Sequence, residues 1–124
     1  MNTGIVKPAT ATRGMRAISI RQPYVEQILR GTKKHEYRSQ PTNIRGRVYL
    51  YASLGKGPQS EFKKLKVEPG ELPTGLILGT VEVADCVWDD QGQRYAYVLK
   101  DPKRLARKLK PTQHPQPVWW YPFG

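Results

Sequence analysis

The stretch Gly31-Thr32-Lys33-Lys34-His35-Glu36-Tyr37-Arg38 decides how this chain reads. It follows Gln22-Pro23-Tyr24-Val25-Glu26-Gln27-Ile28-Leu29-Arg30, where Tyr24 and Ile28, and Val25 and Leu29, stand four apart and share one apolar helical face. Pro23 suits the first helical turn, where its missing N–H is no loss. Gly31 suits the left-handed position that closes a helix. From Lys34 onward the pattern is that of a strand, and alternation puts Glu36 and Arg38 on one face and His35 and Tyr37 on the other. A helix end, a lysine at the turn and a Glu/Arg pair therefore converge on one corner, suited to an anion or a nucleotide.

Outward from this corner, the chain alternates short apolar runs with breakers. Residues 15–20 form a first strand before the helix of residues 23–30, and residues 34–38 a second strand. Residues 47–52, rich in aromatic and β-branched side chains, predict a third strand. Gly55, Gly57 and Pro58 mark residues 53–58 as a turn or loop, and residues 60–67 suit a short helix with Phe62 and Leu65 three apart. Pro69, Gly70 and Pro73 break the chain again before the long apolar strand of residues 76–87, where Gly79 predicts a bulge or bend. Asp90-Gln91-Gly92 reads as a hairpin turn, with residues 94–99 returning as its partner strand. Residues 103–110 read as a basic helical turn or coil, since Leu105 and Leu109 stand four apart. Pro111, Pro115 and Pro117 force an extended path to a last edge strand at Val118-Trp119-Trp120-Tyr121, in which the two adjacent tryptophans point oppositely and at most one enters the core. Residues 1–14 are polar and aperiodic and read as a flexible leader to a single domain over residues 15–124. Five or six short strands, two short helices and frequent breakers point to an α+β fold, either a small α+β domain or a small β-barrel with helical decoration.

The ordered words of the chain also carry a resemblance. Gly31, Lys33, Glu36 and Arg38 match the G-x-K-x-x-E-x-R pattern of ASCH domains, relatives of the PUA RNA-binding fold. Ala17-Ile18-Ser19-Ile20-Arg21-Gln22-Pro23-Tyr24 resembles the family's opening strand and helix start, and Arg45-Gly46-Arg47-Val48-Tyr49-Leu50-Tyr51-Ala52 its next strand. Residues 76–87 resemble its central strand, and Tyr95-Ala96-Tyr97-Val98-Leu99 with Asp101-Pro102-Lys103-Arg104-Leu105 its late strand and exit. The resemblance implies a PUA-like barrel in which the motif lysine, here Lys33, lines the cleft between helix and barrel.

Composition agrees with a polyanion partner. The 124 residues hold 21 Lys and Arg against 10 Asp and Glu, a formal charge of +11, so the summed field attracts nucleic acid. Solubility alone is the plainer use of such charge, but here the cations cluster. Lys100, Lys103, Arg104, Arg107, Lys108 and Lys110 make one basic run and Lys63, Lys64 and Lys66 a smaller one, both suited to phosphates rather than to base choice. The single cysteine, Cys86, excludes an internal disulfide and a Cys-rich zinc site, and its apolar strand predicts a buried, inert thiol. His35 and His114 lack partners at ligand spacing, so neither a metal nor another cofactor is expected. No run is long and apolar enough for a membrane, residues 1–14 lack a signal-type stretch, and a cytoplasmic protein is the expectation.

The candidate ligand or RNA contacts are thus Arg21, Tyr24, Lys33, Glu36 and Arg38 at the corner, with Lys103, Arg104, Arg107 and Lys108 in the basic run. For Lys33 the plainer role is a cation at a helix C-terminus, contributing about 0.3–1 kcal/mol. For Glu36 and Arg38 it is a surface ion pair contributing about 0–1 kcal/mol. Tyr24 faces the motif as a stacking platform for a base. Binding of RNA, single-stranded nucleic acid or a nucleotide is the first functional reading. The resemblance implies a second, since some small ASCH-related proteins are amidohydrolases acting on N4-acetylcytidine and ribonuclease activity also occurs. Lys33 and Glu36 would then be catalytic, as base or nucleophile activator and as proton carrier. Those amidohydrolases carry Thr where this chain has Glu36, together with a later Glu for which Glu61, Glu68, Glu71 and Glu82 are all open here. A third reading, also implied by the resemblance, is a protein-interaction domain of a transcription coregulator.

Overall fold

The computed structural model describes residues 12–115 and 118–124. The described residues form one six-stranded sheet with two short helices, an α+β fold of small PUA-like barrel form. Strand β1 (Ala17–Gln22) leads into helix α1 (Tyr24–Arg30) and then β2 (His35–Arg38). Strand β3 (Gly46–Lys56) is followed by α2 (Gln59–Lys64) and a 3-10 turn at Pro69–Glu71. Strands β4 (Leu76–Asp89) and β5 (Arg94–Leu109) form a long hairpin, and β6 (Trp119–Trp120) ends the sheet. The order across the sheet is β2-β5-β4-β3-β1-β6, with β1 and β3 parallel and the other neighbours antiparallel. The sheet curls until its β2 edge approaches β1, where the Arg38 guanidinium donates from Nη2 to the Ser19 carbonyl oxygen at 2.8 Å. This seam is open to side chains, and it houses the candidate site.

Both faces of β3 are covered, which explains its unbroken apolar run. Val48, Leu50 and Ala52 face the inner cluster with Ile18, Ile20 and Val81, while Tyr49 and Tyr51 face a second cluster with Ile77, Leu105 and Trp120. Each fully buried Ile or Leu stabilises the fold by about 1.5–3 kcal/mol. Gly79 interrupts the register on both sides of β4, because a Cβ there would meet the Lys103 carbonyl oxygen at 2.5 Å and Leu29 Cδ2 at 2.6 Å. Only glycine lets β5 and α1 approach β4 so closely.

Several expectations need correction. Residues 53–56 continue β3 instead of forming a loop, held by the pairing of Gln22 with Lys56. The basic residues 103–109 are strand, not helical turn, because β4 supplies ladder partners as far as Leu109. Pro23 precedes the helix as its cap residue, following a cis peptide, rather than lying inside its first turn. The tryptophans do point oppositely, as expected: only Trp120 is buried, in the outer cluster, while Trp119 is partly buried against the inner one, stacked on Tyr97 at 6.3 Å. Cys86 is only partly buried. Of the expected leader, residues 1–11 lie outside the described residues, while Thr12 and Gly14 bond to Tyr49 Oη and the Gly124 carbonyl. No helix among the described residues is long and apolar enough to cross a membrane.

Candidate nucleotide-binding cleft

The cleft begins with the way α1 ends. Gly31 takes φ 84°, and the Gln27 carbonyl accepts from the N–H of both Thr32 (3.0 Å) and Lys33 (3.2 Å). This tight reversal turns the chain back along the helix, as the Gly31 signal predicts. At the start of α1 the buried Gln22 side chain accepts from the Glu26 N–H at 3.1 Å and donates to the Pro73 carbonyl at 3.0 Å. Tyr24, at the first helical position, and Lys33, just past the last, therefore face each other.

Lys33 Nζ lies 5.0 Å from the Tyr24 ring centre and 5.2 Å from that of Tyr37. It is 3.7 Å from Glu36 Oε1, and its side chain is 16% exposed. Burial lowers its pKa from 10.5 although Glu36 opposes the shift. Glu36 Oε2 accepts from Arg38 Nε at 2.8 Å, and Arg38 passes on to the Ser19 carbonyl. The alternation read from the sequence is thus realised: Glu36 and Arg38 face the seam together, with Glu36 buried. His35 and Tyr37 stack on the other face at 6.1 Å, and Arg94 lies over the Tyr37 ring at 3.6 Å.

These groups line a cavity of about 980 Å³, which also takes in Arg21, Gln27, Lys34, Ser53 and Glu61. Its size lies within the range of small-molecule sites. Glu61 accepts from Gln27 Nε2 at 3.0 Å and from Lys64 Nζ at 2.8 Å, and the bonds from Lys64 and Gln27 lower its pKa below 4.5. The cleft therefore brings together the rings of Tyr24 and Tyr37, each with a cation over it, the exposed cations Arg21 and Lys34, and the carboxylates of Glu36 and Glu61.

Arg21, Tyr24, Lys33, Glu36 and Arg38 all line the cleft. Lys103, Arg104, Arg107 and Lys108 do not. Arg104 is a fork on Glu26, with both N···O distances 3.1 Å, and ties β5 to the back of α1. Lys103 sits 3.8 Å from Asp101. Arg107 and Lys108 are exposed where β5 bulges, four residues of β5 standing against one of β4, Leu78, between the pairs Gly79–Arg104 and Ile77–Leu109. Sequence reasoning missed Ser19, Gln27, Ser53 and Arg94. It left Glu61 as one of four open glutamates, and of those four only Glu61 lines the cleft.

The curled sheet with a cation-rich cleft in its seam defines a small α+β barrel of the PUA-like class. The ASCH domain model matches residues 18–120, and the chain belongs to the ASCH domain family, which is linked to RNA binding. Activating signal cointegrator 1 of Homo sapiens is 25% identical over 125 residues, and that of Mus musculus 29% over 126. Each alignment covers 82% of this chain, and the chain spans about a fifth of those relatives' length, the matched share being 21%.

Proposed function

We propose that this domain binds RNA or another single-stranded nucleic acid, seating a nucleotide in the seam cleft. The observation that carries this is Lys33 Nζ in the cavity wall, 5.0 Å and 5.2 Å from the ring centres of Tyr24 and Tyr37 and 3.7 Å from Glu36. Unstacked bases lie on aromatic faces, and the rim cations Arg21, Lys34 and Arg94 meet phosphates. Arg38 is held by Glu36 and Ser19, so its guanidinium is oriented before a ligand arrives. The test is an NMR titration with a short single-stranded RNA. Shifts concentrated on residues 19–38 and at Ser53, Glu61 and Arg94 are the expected result. Shifts confined to residues 103–110 would place the nucleic acid elsewhere.

A second reading, hydrolysis of a modified cytidine nucleoside or of RNA, is favoured by the lowered pKa of Lys33 and by Glu36 and Glu61 in one cleft. Lys33 would act as base or nucleophile activator and Glu36 as proton carrier. Release of acetate from N4-acetylcytidine by the wild type, abolished in Lys33→Ala, separates this from binding alone. The name of the relatives, a signal cointegrator, supports a third reading as a protein-interaction domain, and an RNA titration that leaves the cleft unmoved favours it.

A further inference from the structure

A second cavity, of about 560 Å³, lies beyond the turn that walls the cleft. Lys33, Lys34 and His35 line both cavities, so the partition between them is one stretch of chain. The second cavity has a different character from the first. Ile28 and Val81 are fully buried beneath it, Leu99 nearly so, and Val98 and Pro102 are half-buried in its wall. Lys34 and Lys100 stand exposed at its edge. Its one carboxylate, Asp101, is already engaged by Arg47 at 2.7 Å and Lys103 at 3.8 Å, so the cavity presents net positive charge. Beside it the β4–β5 ladder is interrupted between the pairs Thr80–Lys103 and Glu82–Lys100, with Asp101 at φ 51°.

An apolar floor under a cationic edge suits a nucleotide, whose base buries its faces while its phosphate meets ammonium groups. The volume is again in the small-ligand range. Continuity with the seam cleft across a lysine-bearing partition identifies the occupant. We infer that the second cavity holds the neighbouring nucleotide of the strand whose first nucleotide sits in the seam cleft, the linking phosphate crossing at Lys33 and Lys34. The minimal ligand is then a dinucleotide. This inference rests on the nucleic-acid reading above.

The test compares adenosine 5′-monophosphate with the dinucleotide ApA, each carrying one phosphate, by NMR titration of the wild type and of Pro102→Asp. Pro102 lines only the second cavity and has no ladder partner. In the wild type, the monophosphate should shift cleft amides only, whereas ApA should also shift Val98, Leu99 and Lys100 and bind at least tenfold more tightly. In Pro102→Asp the advantage of ApA should vanish while monophosphate affinity stays the same. Equal affinities, with both ligands confined to the cleft, would overturn the second site and leave the first standing. No binding of either ligand would overturn both. If Pro102→Asp does not fold, the wild-type shifts alone decide.

Discussion

Lys33 sits where burial and attraction oppose each other. Burial disfavours its ammonium, Glu36 at 3.7 Å favours it, and the net pKa lies below 10.5. The sign follows from proton binding. The cost of the buried ammonium is fully present below the lowered folded pKa and fades as pH rises from there toward 10.5. Lys33→Met should therefore leave stability at pH 7 within about 1 kcal/mol of wild type, since Glu36 keeps Arg38 at 2.8 Å. Wild type should gain on the variant as pH climbs through that interval, read by urea unfolding at several pH values. A wild type that loses ground there has a raised pKa at Lys33. The motif itself was legible because its geometry is local: a glycine cap, a short reversal from Gly31 to Lys34 and strand alternation. Arg94 was not legible, because it reaches Tyr37 only through the pairing of β2 with β5, a long-range fact that no neighbouring residue announces.

Element by element, β5 shows how one spacing serves two structures. Leu105 and Leu109 stand four apart, which fits a helical face, but four is also a multiple of two and fits one face of a strand. The ladder with β4 decides between them, and Leu105 enters the outer cluster beside Ile77. The same ladder turns Arg104 toward α1, where it and Arg30 share Glu26. Burial alone would raise the Glu26 carboxyl, but the hydrogen bonds from Arg104 and Arg30 outweigh it and bring the pKa below 4.5. This clamp stabilises the fold above pH 4.5 and is lost as pH falls through the lowered folded value. Glu26→Gln should cost about 1–2 kcal/mol at neutral pH, less than a fully buried pair because Arg104 is half exposed. The gap between variant and wild type should narrow in acid. Denaturation midpoints at neutral and acid pH check this, and a gap independent of pH would show that the charge is not what holds α1.

At the scale of the whole molecule, short strands, frequent breakers and two helix-length segments made a small α+β domain or barrel legible, and the ordered family words selected the barrel. Its closure was not, because the parallel β1–β3 pair and the Arg38–Ser19 seam join segments far apart in sequence. Part of the charge of +11 lies in the seam cleft, and Arg107 and Lys108 add to it on the exposed bulge of β5. If Arg107 and Lys108 each meet one phosphate, reversing both to Glu should lower the log–log salt slope of single-strand binding by about 1.4, at about 0.7 per contact. Fluorescence anisotropy over a salt series measures that slope, and an unchanged slope removes the bulge from the interface. The most direct measurement is the affinity of a short single-stranded RNA, at one fixed salt concentration, for wild type and for the double variant Tyr24→Ala, Lys33→Ala. With a stacked base contributing about 1–3 kcal/mol, the double variant should bind at least about tenfold more weakly per folded molecule. Equal affinity in the folded double variant would contradict a nucleotide seated between helix and barrel.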